Sequence, residues 1–109
     1  MSDQFNAYAV RCGDLWWSHR QYNFVDTPDQ SSFTPTKYGS AVQRISRNIK
    51  MFTKNVAYMT ELYTREYCDR YHSLSYPVVM EQIADEVKKL EQWQNARMVE
   101  VTVNVTENQ

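Results

Sequence analysis

The side chains in this chain best suited to chemistry are two cysteines and two histidines: Cys12, His19, Cys68 and His72. Cys68 and His72 are four residues apart, which places them on one face of a helix. Together the four could form a Cys2His2 zinc site. The interval between Cys12 and His19 is not that of a usual ligand pair, and the two straddle a hairpin. Structural thiols and surface histidines are the plainer reading, and no metal is expected. Nucleophilic catalysis would need a base held by a third group. Asp69 adjoins Cys68 and points elsewhere on a helix, and there is no Gly-x-Ser-x-Gly. Gly13 and Gly39 are the only glycines, too few for a phosphate-cradling loop or a dinucleotide fingerprint. Asp14 and Asp26 suit turns. A non-enzymatic protein without a catalytic centre or cofactor is expected.

Two groups of residues suit binding instead. No acid occurs between Asp29 and Glu61, a stretch that carries Lys37, Arg44, Arg47, Lys50 and Lys54. On a helix these bases cluster opposite the Ile45–Ile49–Phe52 stripe. Such a strip could take phosphates, because clustered Lys and Arg release counterions from a polyanion. It could equally meet an acidic protein, or be an ordinary solvated face. The second group is an aromatic hairpin: Arg11, Trp16, Trp17, His19 and Arg20. Adjacent strand residues point to opposite faces, so only one of the two tryptophans can enter a given core. The other would lie outside, in a partner interface, or under a second covering layer. Trp, Tyr and Arg are common interface anchors and also stack on bases.

These residues need elements to hold them. Phe5 to Cys12, then Gly13-Asp14, then Leu15 to Ser18 reads as a β-hairpin, within a hairpin region spanning 5–25. Tyr22 to Val25 extends it or forms a short third strand, and Asp26 to Ser32 is a loop. Thr34-Pro35 suits a helix start. Apolar residues at Tyr38, Val42, Ile45, Ile49, Phe52, Val56, Met59 and Tyr63 step by four and three, a heptad stripe. One helix over 34–71 is expected, roughly 50 Å long, with a break near Thr53 as the competing reading. A second helix covers 76–95. Val99, Val101, Val103 and Val105 alternate with polar residues, marking a strand over 98–106. The expected fold is α+β: a small antiparallel sheet, built from the hairpin and the last strand, packed against the long helix and the second helix.

The 109 residues suit one domain, and an apolar share of 42% with 14% aromatic is too high for disorder. No run approaches the ~20 apolar residues of a membrane span. Met1-Ser2-Asp3-Gln4 lacks the start of a signal peptide, so the cytoplasm is the expected location. The net charge of −1 hides a basic middle and an acidic end, where Glu81, Asp85, Glu86, Glu91, Glu100 and Glu107 outnumber Lys88, Lys89 and Arg97. A helix of 50 Å would outrun a domain whose radius of gyration is about 13 Å. A second copy of the chain could cover its stripe, and a homodimer or larger homo-oligomer is expected.

The sequence Tyr8-Ala9-Val10-Arg11, then Gly13-Asp14-Leu15-Trp16, then Phe33-Thr34 leading into a helix with Ala41, and last the alternating strand Val99–Val105, resembles in layout the short accessory proteins of tailed bacteriophages. The resemblance implies a protein of the host bacterial cytoplasm that binds and blocks a host or anti-phage defence protein, in the manner of a counter-defence inhibitor. The alternative is a module that sequesters a nucleotide or nucleic acid through the basic helix face and the hairpin aromatics.

Overall fold

A computed structural model describes residues 2–35 and 40–106 of the chain. The fold is α+β, with a four-stranded antiparallel sheet and three α-helices. The strands are β1 (Ser2–Cys12), β2 (Leu15–Ser18), β3 (Asn23–Val25) and β4 (Ala96–Thr106), in the order β3-β2-β1-β4. The helices are α1 (Ser40–Leu62), α2 (Arg65–Tyr71) and α3 (Tyr76–Gln94). Contacts divide the chain into two compact units, Met1–Ser46 with Asn95–Gln109, and Arg47–Gln94.

In the first unit, β1 and β4 pair along their whole length, from Ser2 opposite Thr106 to Cys12 opposite Ala96. The valine alternation of β4 therefore continues across to β1, where Val99 faces Ala9, Val101 faces Ala7 and Val103 faces Phe5. The β1–β2 turn uses Gly13 at φ +58, a positive angle that costs glycine nothing. The registers sort the side chains by face. Phe5, Ala7, Ala9 and Arg11 share one face with Trp16, Val25, Val99, Val101 and Val103. Val10, Trp17 and Phe24 share the other. Ala7 and Ala9 are buried on the first face, and Val10, Trp17 and Phe24 on the second. Both faces of the sheet are thus covered in part.

The segment between β3 and α1 corrects the reading of Thr34 as a helix cap. Thr34 pairs with β1: Tyr8 donates its N–H to the Thr34 carbonyl at 2.7 Å, and Thr34 returns one to Tyr8 at 2.8 Å. A Thr-Pro pair suits a short extended bridge as well as a helix start, because the residue before proline favours extended backbone.

The helix expected over 34–71 is two helices. α1 ends at Leu62, and Thr64, with extended backbone, caps α2 by accepting the Tyr67 N–H on Oγ1 at 3.2 Å. No break occurs at Thr53. Its hydroxyl donates back to the Ile49 carbonyl at 2.6 Å, satisfied within the helix and not available as a cap. Glu66 in the first turn of α2 and Arg70 in its last complement the helix dipole. Their 3.4 Å ion pair is exposed and adds little. Pro77 sits in the first turn of α3, where Val79 donates to the Ser75 carbonyl at 3.1 Å. In this second unit Cys68, Val79 and Trp93 are buried. The stripe residues Ile45, Ile49, Phe52, Val56 and Met59 are all half-buried.

Candidate functional site

The loop after β3 is folded by its own polar residues. Asp29 caps the short 3-10 turn Gln30–Ser32, accepting the Ser31 N–H at 2.8 Å, while Ser32 Oγ accepts the Asp29 N–H at 3.1 Å. The same carboxylate takes the hydroxyl of Ser18, at the end of β2, at 2.5 Å, and that of Ser31. Ser18 is fully buried and also accepts the Gln21 N–H at 3.1 Å. Arg20 N–H donates to Ser31 Oγ at 2.8 Å. The hydroxyls of Ser18 and then Ser31 hold the Asp29 carboxyl down at about 2, against an ordinary 3.8. The charge is consumed within the protein. It fastens the loop to the sheet and leaves little lone-pair capacity for a ligand.

Fastened in this way, the loop and the first sheet face line an open cavity of about 820 Å³. Buried Ala7 belongs to its lining, and Phe5, 45% exposed, stands where solvent enters. Phe33, Pro28, Pro35 and Val103 give apolar walls, and Gln30, Thr34 and Asn104 supply polar groups. The size and the mixture of many apolar walls with few polar groups match a ligand-binding cleft. Among the lining residues Asp29 alone is ionisable, and it is already satisfied. The cavity suits an uncharged apolar or aromatic group.

The expected aromatic hairpin site is divided. Trp17 is in the core at 5% exposure, edge-on to Phe24 and Tyr22 at 5.3 Å each. Trp16 is half-buried on the cavity face. The Arg11 guanidinium covers its ring at 4.1 Å, and Phe33 meets it edge-on at 6.0 Å. Arg11 also donates to the Asp14 carbonyl at 2.8 Å. His19 and Arg20 are exposed in the β2–β3 turn, with the His19 ring 6.2 Å from Tyr22. Tyr22 adopts φ +53 there, an uncommon angle for so bulky a residue. The group of five residues thus does not form one surface. Arg11 and Trp16 instead adjoin the cavity through Phe33.

The basic strip is shorter than expected. Arg47, Lys50 and Lys54 are exposed on α1. Arg44 is half-buried and has a partner of its own. Lys37 lies outside the described residues. The cysteines and histidines have local roles: Cys68 is buried, and His72 accepts the Leu74 N–H on Nδ1 at 3.0 Å with its ring against Tyr63 at 5.0 Å. Among the described residues no three His, Cys, Asp or Glu side chains gather as metal ligands would. No helix among them is long and apolar enough to cross a membrane.

Sequence reasoning missed the cavity. One available signal was the Asp29-x-x-Ser32 capping pattern, which marks an ordered turn within the loop expected over Asp26 to Ser32. The other was Phe33 between Pro28 and Pro35, a lone aromatic in polar surroundings. Also missed was a tyrosine ladder in the second unit. Tyr63, Tyr67 and Tyr71 follow one another at 5.8 and 5.4 Å, and Arg65 lies over Tyr76 at 4.7 Å. Compared with models of known protein families, with curated proteins and with solved structures, the chain matches none of them.

Proposed function

We infer that this chain is a non-enzymatic binding protein whose cavity beside Phe5 and Phe33 receives an apolar or aromatic side chain of a partner protein. The observation that carries the reading is the cavity itself: apolar walls, an exposed aromatic at its edge and no ionisable group left to do chemistry. Its neighbours Trp16 and Arg11 are the residue types that anchor protein interfaces. The target we propose, from the resemblance of the sequence layout to accessory proteins of tailed phages, is a host or anti-phage protein of the bacterial cytoplasm that the chain would block by occupying its surface.

The test is selection of a random peptide library on the immobilised protein. Enriched peptides are expected to share an aromatic or large aliphatic anchor. Phe5→Glu places a charge at the cavity edge and should lower their affinity about tenfold to a hundredfold, the worth of one well-placed anchor. Because Phe5 is 45% exposed, the circular dichroism and melting of the variant should stay close to those of the parent. Peptides without a common apolar anchor, or indifferent to Phe5→Glu, would refute the reading.

Nucleic-acid binding is favoured by one observation only, the exposed trio Arg47, Lys50 and Lys54, none of which joins an ion pair among the described residues. Against it, Trp17 is buried, and Arg11 occupies one face of the half-buried Trp16 ring. If the trio does hold phosphates, log Kd for single-stranded DNA should follow log salt with a slope near three contacts' worth, about 2. Arg47→Glu with Lys50→Glu and Lys54→Glu should abolish it. Fluorescence anisotropy between low and physiological salt measures both, and no binding at low salt removes this reading.

A further inference from the structure

The outer edge of β4 is the longest open edge of the sheet. β4 ends the strand order and has 11 residues, whereas β3 at the other end has 3. The direction of its backbone groups follows from Tyr8. Tyr8 turns its N–H and C=O toward Thr34, on the side of β1 away from β4. Neighbouring strand residues alternate, so Phe5, Ala7 and Ala9 turn theirs toward β4, where Val103, Val101 and Val99 receive them. Met98, Glu100, Thr102 and Asn104 must then direct their N–H and C=O groups outward. No backbone hydrogen bond from these four to another described segment is formed on that side. Glu100, Thr102 and Asn104 are exposed.

Sheet edges of this kind are ordinarily protected by short length, charged side chains, proline or a bulge. β4 is charged only at Arg97 and Glu100, contains no proline, and pairs with β1 without a bulge. We propose that the outer edge of β4 pairs antiparallel with β4 of a second copy of this chain, joining the two four-stranded sheets into one.

Self-pairing fits because the strand is its own complement. A two-fold axis through Val101 brings the full length into register, Ala96 opposite Thr106. It sets Val99 against the second copy's Val103 on the apolar face. On the polar face Glu100 meets Thr102 and Met98 meets Asn104, so no like charges are opposed. Moving the axis one residue, to Glu100, would oppose two glutamates. Glu100 and Thr102 of the two copies then exchange N–H···O bonds, and Val101 meets its own copy across a close, non-hydrogen-bonded pair.

The test uses the full chain and two variants. Light scattering behind size exclusion is expected to give a dimer. Thr102→Pro removes an outward N–H and leaves the β1–β4 ladder intact, since proline is tolerated at an edge position facing solvent. It should weaken the dimer about a hundredfold with the strand signal retained. Val101→Cys, in a chain whose Cys12 and Cys68 are replaced by Ala, should oxidise to a covalent dimer. Two residues in a non-hydrogen-bonded antiparallel pair lie within disulfide reach. Should Thr102→Pro unfold, the cysteine variant decides alone. A parent chain that stays monomeric at micromolar concentration overturns the proposal. So does a dimer that Thr102→Pro leaves unchanged, or a cysteine variant that does not cross-link.

Discussion

Trp17→Ala is expected to cost about 3–5 kcal/mol, the usual loss when a buried tryptophan is truncated. Trp17 is 5% exposed, and its ring meets Phe24 and Tyr22 edge-on, so truncation removes buried packing against both. Domains of this size have about 5–15 kcal/mol in total, and the variant should lose a large share of its stability. Trp16→Ala is the control. Its half-buried ring loses partial burial and the Arg11 contact, for a cost of about 1–2 kcal/mol. Urea titrations of the two variants measure the difference. Equal costs would mean that Trp16 is packed as fully as Trp17.

The second large effect concerns the loop anchor. Ser18→Ala removes a buried hydroxyl that donates to Asp29 and accepts from Gln21. Because both partners reach solvent, the loss is that of ordinary hydrogen bonds, about 1 kcal/mol. The pH dependence has a definite sign. Asp29 has a folded pKa of about 2, below its ordinary 3.8. Its stabilisation is therefore fully present above pH 3.8 and lost as pH falls toward 2. Ser18 is the largest cause of the depression, so Ser18→Ala should flatten the loss in that window, and Asp29→Asn should remove it. Urea midpoints at neutral pH and through the acid window report both. The loop also forms one wall of the cavity, so Ser18→Ala should weaken anchor peptides even at neutral pH, where the domain remains folded.

Much of the fold could be read in the residues because the signals were local. Gly13-Asp14 between β-prone runs gives the first hairpin, and the valine alternation gives β4. Thr34 and Thr64 show where local signals are ambiguous. Thr34 before proline is compatible with a cap or a bridge, and only the approach of Tyr8 decides between them. Thr53 and Thr64 are equally good caps in isolation. Thr53 lies within the apolar stripe, where helical packing is favoured, and Thr64 lies where the stripe gives out beyond Tyr63. The site was less legible. Alternation says that Trp16 and Trp17 part company, but it cannot say which face is filled when both faces of a sheet are covered. The cavity needs Phe5, Phe33 and Val103 from three distant segments, and no spacing rule connects them.

The pairing of β1 with β4 has a consequence for how the molecule is made. Ser2 and Thr106 meet although nearly the whole chain lies between them. Closing so long a loop is entropically costly before any contact repays it, which makes such pairings slow. During synthesis β1 emerges long before its principal partner β4. Until β4 follows, β1 has only the short β2 and the Thr34 bridge to satisfy it, whereas the contacts of α2 and α3 are local. The sheet is thus completed only when β4 arrives, so truncation before Ala96 would leave β1 with β2 and the Thr34 bridge and would remove the Val103 wall of the cavity.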